Sequence, residues 1–225
     1  MRIHVGAGAA ISGIRGYRES LAYARERKQG TSLASKSREQ VPIIQHADVK
    51  RMLLQQKAYA EGGLALCMFG AGLLDSEKKE DRLLLDALIP LIKSWPSDFC
   101  VEANNLAIQV LGGYGYTRDF PLQQVWRDNR LNMIHEGTAG IQSLDLLGRK
   151  TRGEGWRIMV ERATECAVLA KAEGDEDLEA MGAELVKALE VVEATKVTLL
   201  EGMAGVSNGG ERRREEEERR KRNEE

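Results

Sequence analysis

From Ile3 through Ala7, Ala10, Ile14, Tyr17, Leu21 and Ala24, apolar residues return every three or four positions, until the run closes in the basic turn Arg25 to Lys28 before Gly30. That period lines one side of a helix and leaves the other side polar. A helix this long and this one-sided does not hold itself together in water, so the pattern demands partners that cover its apolar stripe. Helical spacing resumes after the polar segment 31–42, TSLASKSREQVP, which reads as a loop. It passes through Val49, Met52, Leu53, Leu64, Cys67 and Leu74, and a third helical region follows from about Glu80 to Leu111. Pro90 and Pro96 lie inside that third region, each removing a backbone donor, which predicts a kink or break there. Gly112 and Gly113 then stop it. A short helix fits near Pro121 to Arg130, another from about Thr138 to Arg149, and two more cover roughly Glu154 to Ala172 and Asp177 to Met203.

Seven helices with short joins predict an all-α fold, an up-and-down helical bundle. Aromatic residues make up only 5% of the chain, which suits close helix–helix packing better than strands rich in aromatic and β-branched residues. The 33 basic and 35 acidic residues nearly cancel, so nothing in the charge asks for nucleic acid or an anionic membrane. No uninterrupted apolar run is long enough to cross a bilayer, which predicts no membrane insertion, and the first residues lack the shape of a targeting segment. Cys67, Cys100 and Cys166 are far apart with no CxxC pair, so neither a disulfide framework nor a metal site is expected. The closing stretch Glu211 to Glu225 has only charged residues apart from Asn223, seven acidic against seven basic. It reads as a fluctuating helix or a disordered tail.

Between Ile108 and Lys150 the chain reads IQVLGGYGYTRDFPLQQVWRDNRLNMIHEGTAGIQSLDLLGRK. Taken alone, its parts have ordinary explanations. Gly112 and Gly113 are a helix stop, Thr138 an N-cap, and Glu136 a solvated loop carboxylate. Upstream, Arg27 in YARERKQG reads as a cation at a helix C-terminus, and His46 in IIQHADVKRMLL as structural. Together, QVLGGYGY, RDNR and HEGTAGIQ, in this order and at this spacing, resemble the C-terminal helical domain of the acyl-CoA dehydrogenases. The runs RKQG and GIQSLDLLGRK are similar to the branch that contains methylmercaptopropionyl-CoA dehydrogenase.

The resemblance implies a division into a bundle domain over 1–150, additional helices packing on it over 151–206, and the charged tail over 207–225. It implies FAD as cofactor and an acyl-CoA thioester as substrate, with Glu136 removing the α-proton while hydride passes to the flavin. Glu136 and its own backbone N–H would then serve as base and as donor to the thioester oxygen. A partly desolvated pocket around Glu136 would suit that role. Gln109, Gly112 and Gly113 are implied to approach the adenine half of an FAD bound mainly by a neighbouring subunit, and Arg27 its pyrophosphate, with Gln29 and His46 beside it. Thr138 is implied to meet the flavin. A homo-oligomer, dimer or tetramer, follows, as does an electron-transfer flavoprotein or other acceptor. The compartment expected is a bacterial cytoplasm or the mitochondrial matrix. The resemblance runs from Arg2 to about Gly205 and leaves out the family's N-terminal helical and middle β-domains. The alternative is therefore a truncated, non-catalytic helical oligomerisation module without bound flavin.

Overall fold

The computed structural model describes residues 1–31 and 39–224, with side chains described up to residue 203. The chain divides into two compact units, Met1–Leu146 and Leu147–Glu225. In the first unit, α1 (Arg2–Glu26), α2 (Ala47–Asp75) and α3 (Lys79–Leu111) pack on one another. A single turn of helix, α4 (Gly113–Tyr116), leads to α5 (Leu122–Asn132), which lies on α1 and α3, and α6 (Ala139–Gly148) follows. Two departures from the sequence reading stand out. Lys28–Thr31 (β1) and Gln40–Pro42 (β2) pair antiparallel, where a helix end and a loop are expected. The expected loop also covers residues 32–38, which lie outside the described residues.

The seam of α1 is lined with small residues. Val5, Gly6, Ala9, Ala10, Gly13, Gly16, Ser20 and Ala24 are its buried positions, while Ile3, Ile14, Tyr17 and Leu21 are only partly covered. Small side chains bring the backbones close. A Cβ on Gly6 would stand 2.2 Å from the Ile92 carbonyl oxygen, and one on Gly16 would stand 2.3 Å from Asn104 Nδ2. Helix α3 runs unbroken through Pro90 and Pro96, both fully buried. The break expected there does not occur, because α3 lies between α1 and α2, and their packing holds the helix through the two missing donors.

The second unit holds α7 (Glu154–Ala172) and α8 (Glu176–Glu224), which fold back on each other across Gly174 at φ +72°. Buried Trp156 donates its indole N–H to Glu193 at 2.5 Å, and a Cβ on Gly182 would stand 2.8 Å from the Ala167 carbonyl oxygen, so the helices run antiparallel in close contact. The backbone of α8 stays helical through the charged stretch to Glu224.

Candidate functional site

Helix α1 gives out at Arg27, whose backbone turns extended. The Arg27 N–H still donates to the Tyr23 carbonyl at 2.9 Å, while the Arg27 carbonyl accepts the Ile43 N–H at 2.8 Å. That crossing bond carries the chain into the short β1–β2 ladder and brings the start of α2 back to the end of α1. His46 then donates Nε2–H to the Gln29 carbonyl at 2.8 Å; the carbonyl only accepts, so Nε2 carries the proton. Gly30, at φ +71°, lies under the imidazole.

Across from this corner, α3 ends at Gly112, with φ +59° and ψ −136°. The Gly112 N–H donates to the Gln109 carbonyl at 3.1 Å and the Gly115 N–H to the Gly112 carbonyl at 3.0 Å. This double turn leaves Gly112 and Gly113 with open space where a side chain would stand. Tyr23, Arg27, Gln29, Gly112, Gly113 and Tyr114 line a cavity of about 420 Å³, with the Arg27 guanidinium 5.9 Å from the Tyr114 ring centre. Phe120 meets Tyr23 edge-on and packs beside Tyr114. A planar cation, bare peptide and aromatic faces make this corner fit a flat ring system that carries phosphate.

The second locus is the turn between α5 and α6. Glu136 has φ +54° and is the one residue other than glycine with positive φ among those described. Gly137 follows at φ +96°, and Thr138 sits at the entrance to α6. Buried Gln142, reaching back from α6, donates its amide to the Glu136 carbonyl at 3.0 Å and to the Gly137 carbonyl at 3.4 Å. From the other side runs a chain of amides. Asn104 donates to the Ser12 carbonyl at 3.0 Å, Asn129 to Asn104 Oδ1 at 2.6 Å, Asn132 to Asn129 Oδ1 at 3.0 Å, and His135 Nε2 to Asn132 Oδ1 at 3.1 Å. The chain starts in the fully buried core and ends beside Glu136. Glu136 itself stands exposed, so the described residues do not provide the desolvating pocket expected around it.

Beneath the same turn lies Lys93, fully buried on α3, its ammonium 3.4 Å from the Met133 carbonyl oxygen. Burial pulls the Lys93 pKa below the ordinary lysine value, the charges of Asp98 and Glu136 oppose that fall, and Arg2 adds to it. Burial likewise raises the Asp98 carboxyl, against the pull of Lys93 and Arg130. Arg2 is itself held by Asp145 at 2.7 Å.

Of the residues singled out in the sequence, Arg27, Gln29, Gly112 and Gly113 share one cavity, with His46 hydrogen-bonded to its edge. Gln109 is one turn back on α3 and exposed, and its backbone carbonyl anchors Gly112. Glu136 and Thr138 occupy the separate α5–α6 turn. Sequence reasoning missed Lys93, Asn104, Asn129 and Gln142. Two of these lay in plain view, Asn129 inside RDNR and Gln142 inside HEGTAGIQ. A second cavity of about 570 Å³, with Tyr116, Trp126, Arg118 and Arg127 on its walls, was also not anticipated. No group of three metal-binding side chains occurs among the described residues, and no helix there is long and apolar enough to cross a membrane.

Residues 1–151 match the family model described as "Acyl-CoA dehydrogenase, C-terminal domain". The chain is 38% identical over 163 residues to a 3-methylmercaptopropionyl-CoA dehydrogenase of Ruegeria pomeroyi, which covers 69% of this chain and 28% of that protein. It is 35% identical over 161 residues to the broad-specificity linear acyl-CoA dehydrogenase FadE5 of Mycobacterium tuberculosis, covering 66% and 26%. In fold it resembles Caenorhabditis elegans ACDH-11, solved in complex with C11-CoA, with a TM-score of 0.74 at 21% identity, covering 88% of this chain and 32% of that one. Butyryl-CoA dehydrogenase of Megasphaera elsdenii gives a TM-score of 0.55 at 22% identity, covering 65% and 35%. The chain thus spans roughly a quarter to a third of the length of the relatives it matches.

Proposed function

Because the chain belongs to the acyl-CoA dehydrogenase family, we propose that it supplies the catalytic base and one face of the flavin site for α,β-dehydrogenation of an acyl-CoA thioester. The observation that carries this reading is the Glu136 turn. An exposed carboxylate is held with positive φ, and hydrogen bonds to its neighbours on both sides keep it there. Strained backbone of this kind persists only where the surroundings over-determine it, and it gathers at functional sites.

In this role the Glu136 carboxylate accepts the α-proton of the thioester, and the Glu136 backbone N–H is directed to the thioester carbonyl oxygen, where negative charge develops. FAD, when bound, supplies the acceptor for the hydride that leaves the β-carbon. The residues present fit that cofactor. Arg27 offers a charged fork for a pyrophosphate, and Gln29, His46 and Gln109 frame the approach to it. Gly112 and Gly113 offer bare backbone to an adenine ribose half, and Thr138 with the first amides of α6 offers donors to the flavin end. The Arg27 corner serves the cofactor of a neighbouring copy, so the working species is a homo-oligomer, dimer or tetramer. Ile11, Leu54 and Met68, each at least 60% exposed, are consistent with such burial. Electron-transfer flavoprotein is the proposed acceptor class, and the bacterial relatives favour a bacterial cytoplasm over the mitochondrial matrix. Residues 1–150 form the bundle domain in this reading, 151–206 an appended helical segment and 207–225 a charged tail.

A second reading, a helical oligomerisation module without flavin, is favoured by the exposure of Glu136. Absorbance spectra of the purified chain with and without FAD decide between them. Anaerobic addition of acyl-CoA thioesters then tests the chemistry. Flavin that binds and bleaches, and stays unbleached in Glu136→Gln, supports the dehydrogenase. A chain that takes up no flavin supports the module.

A further inference from the structure

We propose that Lys93 and Gln142 are positioning residues that hold the Glu136 turn from beneath, Gln142 by clamping its backbone and Lys93 by a hydrogen bond from its buried ammonium to the Met133 carbonyl at the approach to the turn. This rests on Glu136 acting as the base. Both residues are buried.

Gln142 donates one amide group to two successive carbonyls, those of Glu136 and Gly137. Its own Oε1 is buried and finds no donor among the described residues. A buried acceptor left in that state costs free energy, so the side chain is oriented for the clamp at the expense of its other half. Gly137 completes the fit. A Cβ there would stand 2.5 Å from Gln142 Nε2, so any other residue at 137 would push the clamp away.

Lys93 is stranger. A fully buried ammonium is among the rarest groups in a protein interior and survives where other charges and carbonyls compensate it. Burial lowers its pKa, the charges of Asp98 on its own helix and of Glu136 favour the ammonium, and Arg2 from α1 disfavours it. Arg130 of α5 acts on Asp98, and Asp145 of α6 occupies Arg2. The Lys93 ammonium donates to the Met133 carbonyl, three residues before Glu136. The lysine thus grips the approach to the turn.

The test needs neither flavin nor thioester, so its failure is separate from failure of the dehydrogenase reading. Amide exchange is read in Gln142→Leu and Lys93→Met. Exchange at residues 134–138 speeds up about tenfold, the scale of one lost net hydrogen bond, while α1 to α3 keep wild-type protection. Exchange that rises everywhere, or nowhere, overturns the positioning role.

Discussion

Glu136→Asn should make the chain more stable, although it removes the residue to which the chemistry is assigned. Glu136 sits at φ +54°, inside the left-handed region, where an L-residue with an ordinary side chain pays roughly 1–2 kcal/mol. Asn tolerates that region far better, because its short amide bonds locally with the backbone. Glu136 is exposed, so the exchange removes little packing, and the clamp from Gln142 acts on carbonyls that any residue keeps. The carboxylate charge is lost as well, which is why Glu136→Gln is the proper reference. Gln loses the same charge and keeps the same backbone preference. The difference between the two variants isolates the strain, and we expect Asn to exceed Gln by about 0.5–1 kcal/mol. In a domain of this size each kcal/mol moves the melting temperature by about 2–4 °C, so calorimetry resolves it. Urea unfolding gives the same ordering through its midpoint. If Asn proves no more stable than Gln, the turn stores no strain and the argument from its conformation to its function fails.

Four further outcomes follow from the same structure. Gly115→Ala should cost about 1–3 kcal/mol by chemical denaturation, since its Cβ would stand 2.5 Å from the Ile108 carbonyl oxygen; Gly113→Ala, with nothing near, should stay within about 0.5 kcal/mol, and equal effects would refute the packing argument. Asn129→Ala should cost about 2–3 kcal/mol, because it leaves the buried Asn104 Oδ1 without its donor and removes the bond to the Ala9 carbonyl, and a loss below ~1 kcal/mol would mean that the amide chain is dispensable. Burial raises Cys67 to about 11 and Cys100 to about 12 from an unperturbed 9.0, so iodoacetamide should label Cys166 quickly and the other two only on unfolding. Folded Cys100 keeps its proton as pH rises through 9 while the unfolded thiol gives it up, so stability falls in that window. Cys100→Ala should flatten the fall by up to about 1.4 kcal/mol per pH unit, and parallel slopes would refute the assignment.

The bundle was legible because its signal is local and repeated. Each long helix announces itself over many turns, and the stop at Gly112 is written in two consecutive glycines. The β1–β2 pair was not legible, because no period of two marks it. It is tied by the Arg27 carbonyl accepting the Ile43 N–H, an encounter between the end of α1 and the approach to α2 that no local pattern marks. The candidate site divides along the same line. Residues whose role would be to meet a ligand with bare backbone or an exposed side chain, such as Gly112, Arg27 and Glu136, stand in short motifs that a reader can recognise. The residues that hold those motifs in place act across long separations. Lys93 reaches a carbonyl 40 residues away, and Asn104 one 92 residues away.

Helix α3 shows why such partners stay hidden even when both are noticed. Pro96 has no N–H, so the Ile92 carbonyl four residues earlier lacks its helical donor. That carbonyl faces Gly6 on α1, at a separation where any side chain would collide with it. The proline exposes an oxygen and the glycine admits it, so the bare Cα–H of α1 comes against it where a helix would otherwise break. Read singly, Pro96 predicts a kink and Gly6 a weak spot in a helix. Their juxtaposition helps α3 continue past Pro96, so that Lys93 before the proline and Asn104 and the glycine turn after it are carried on one helix.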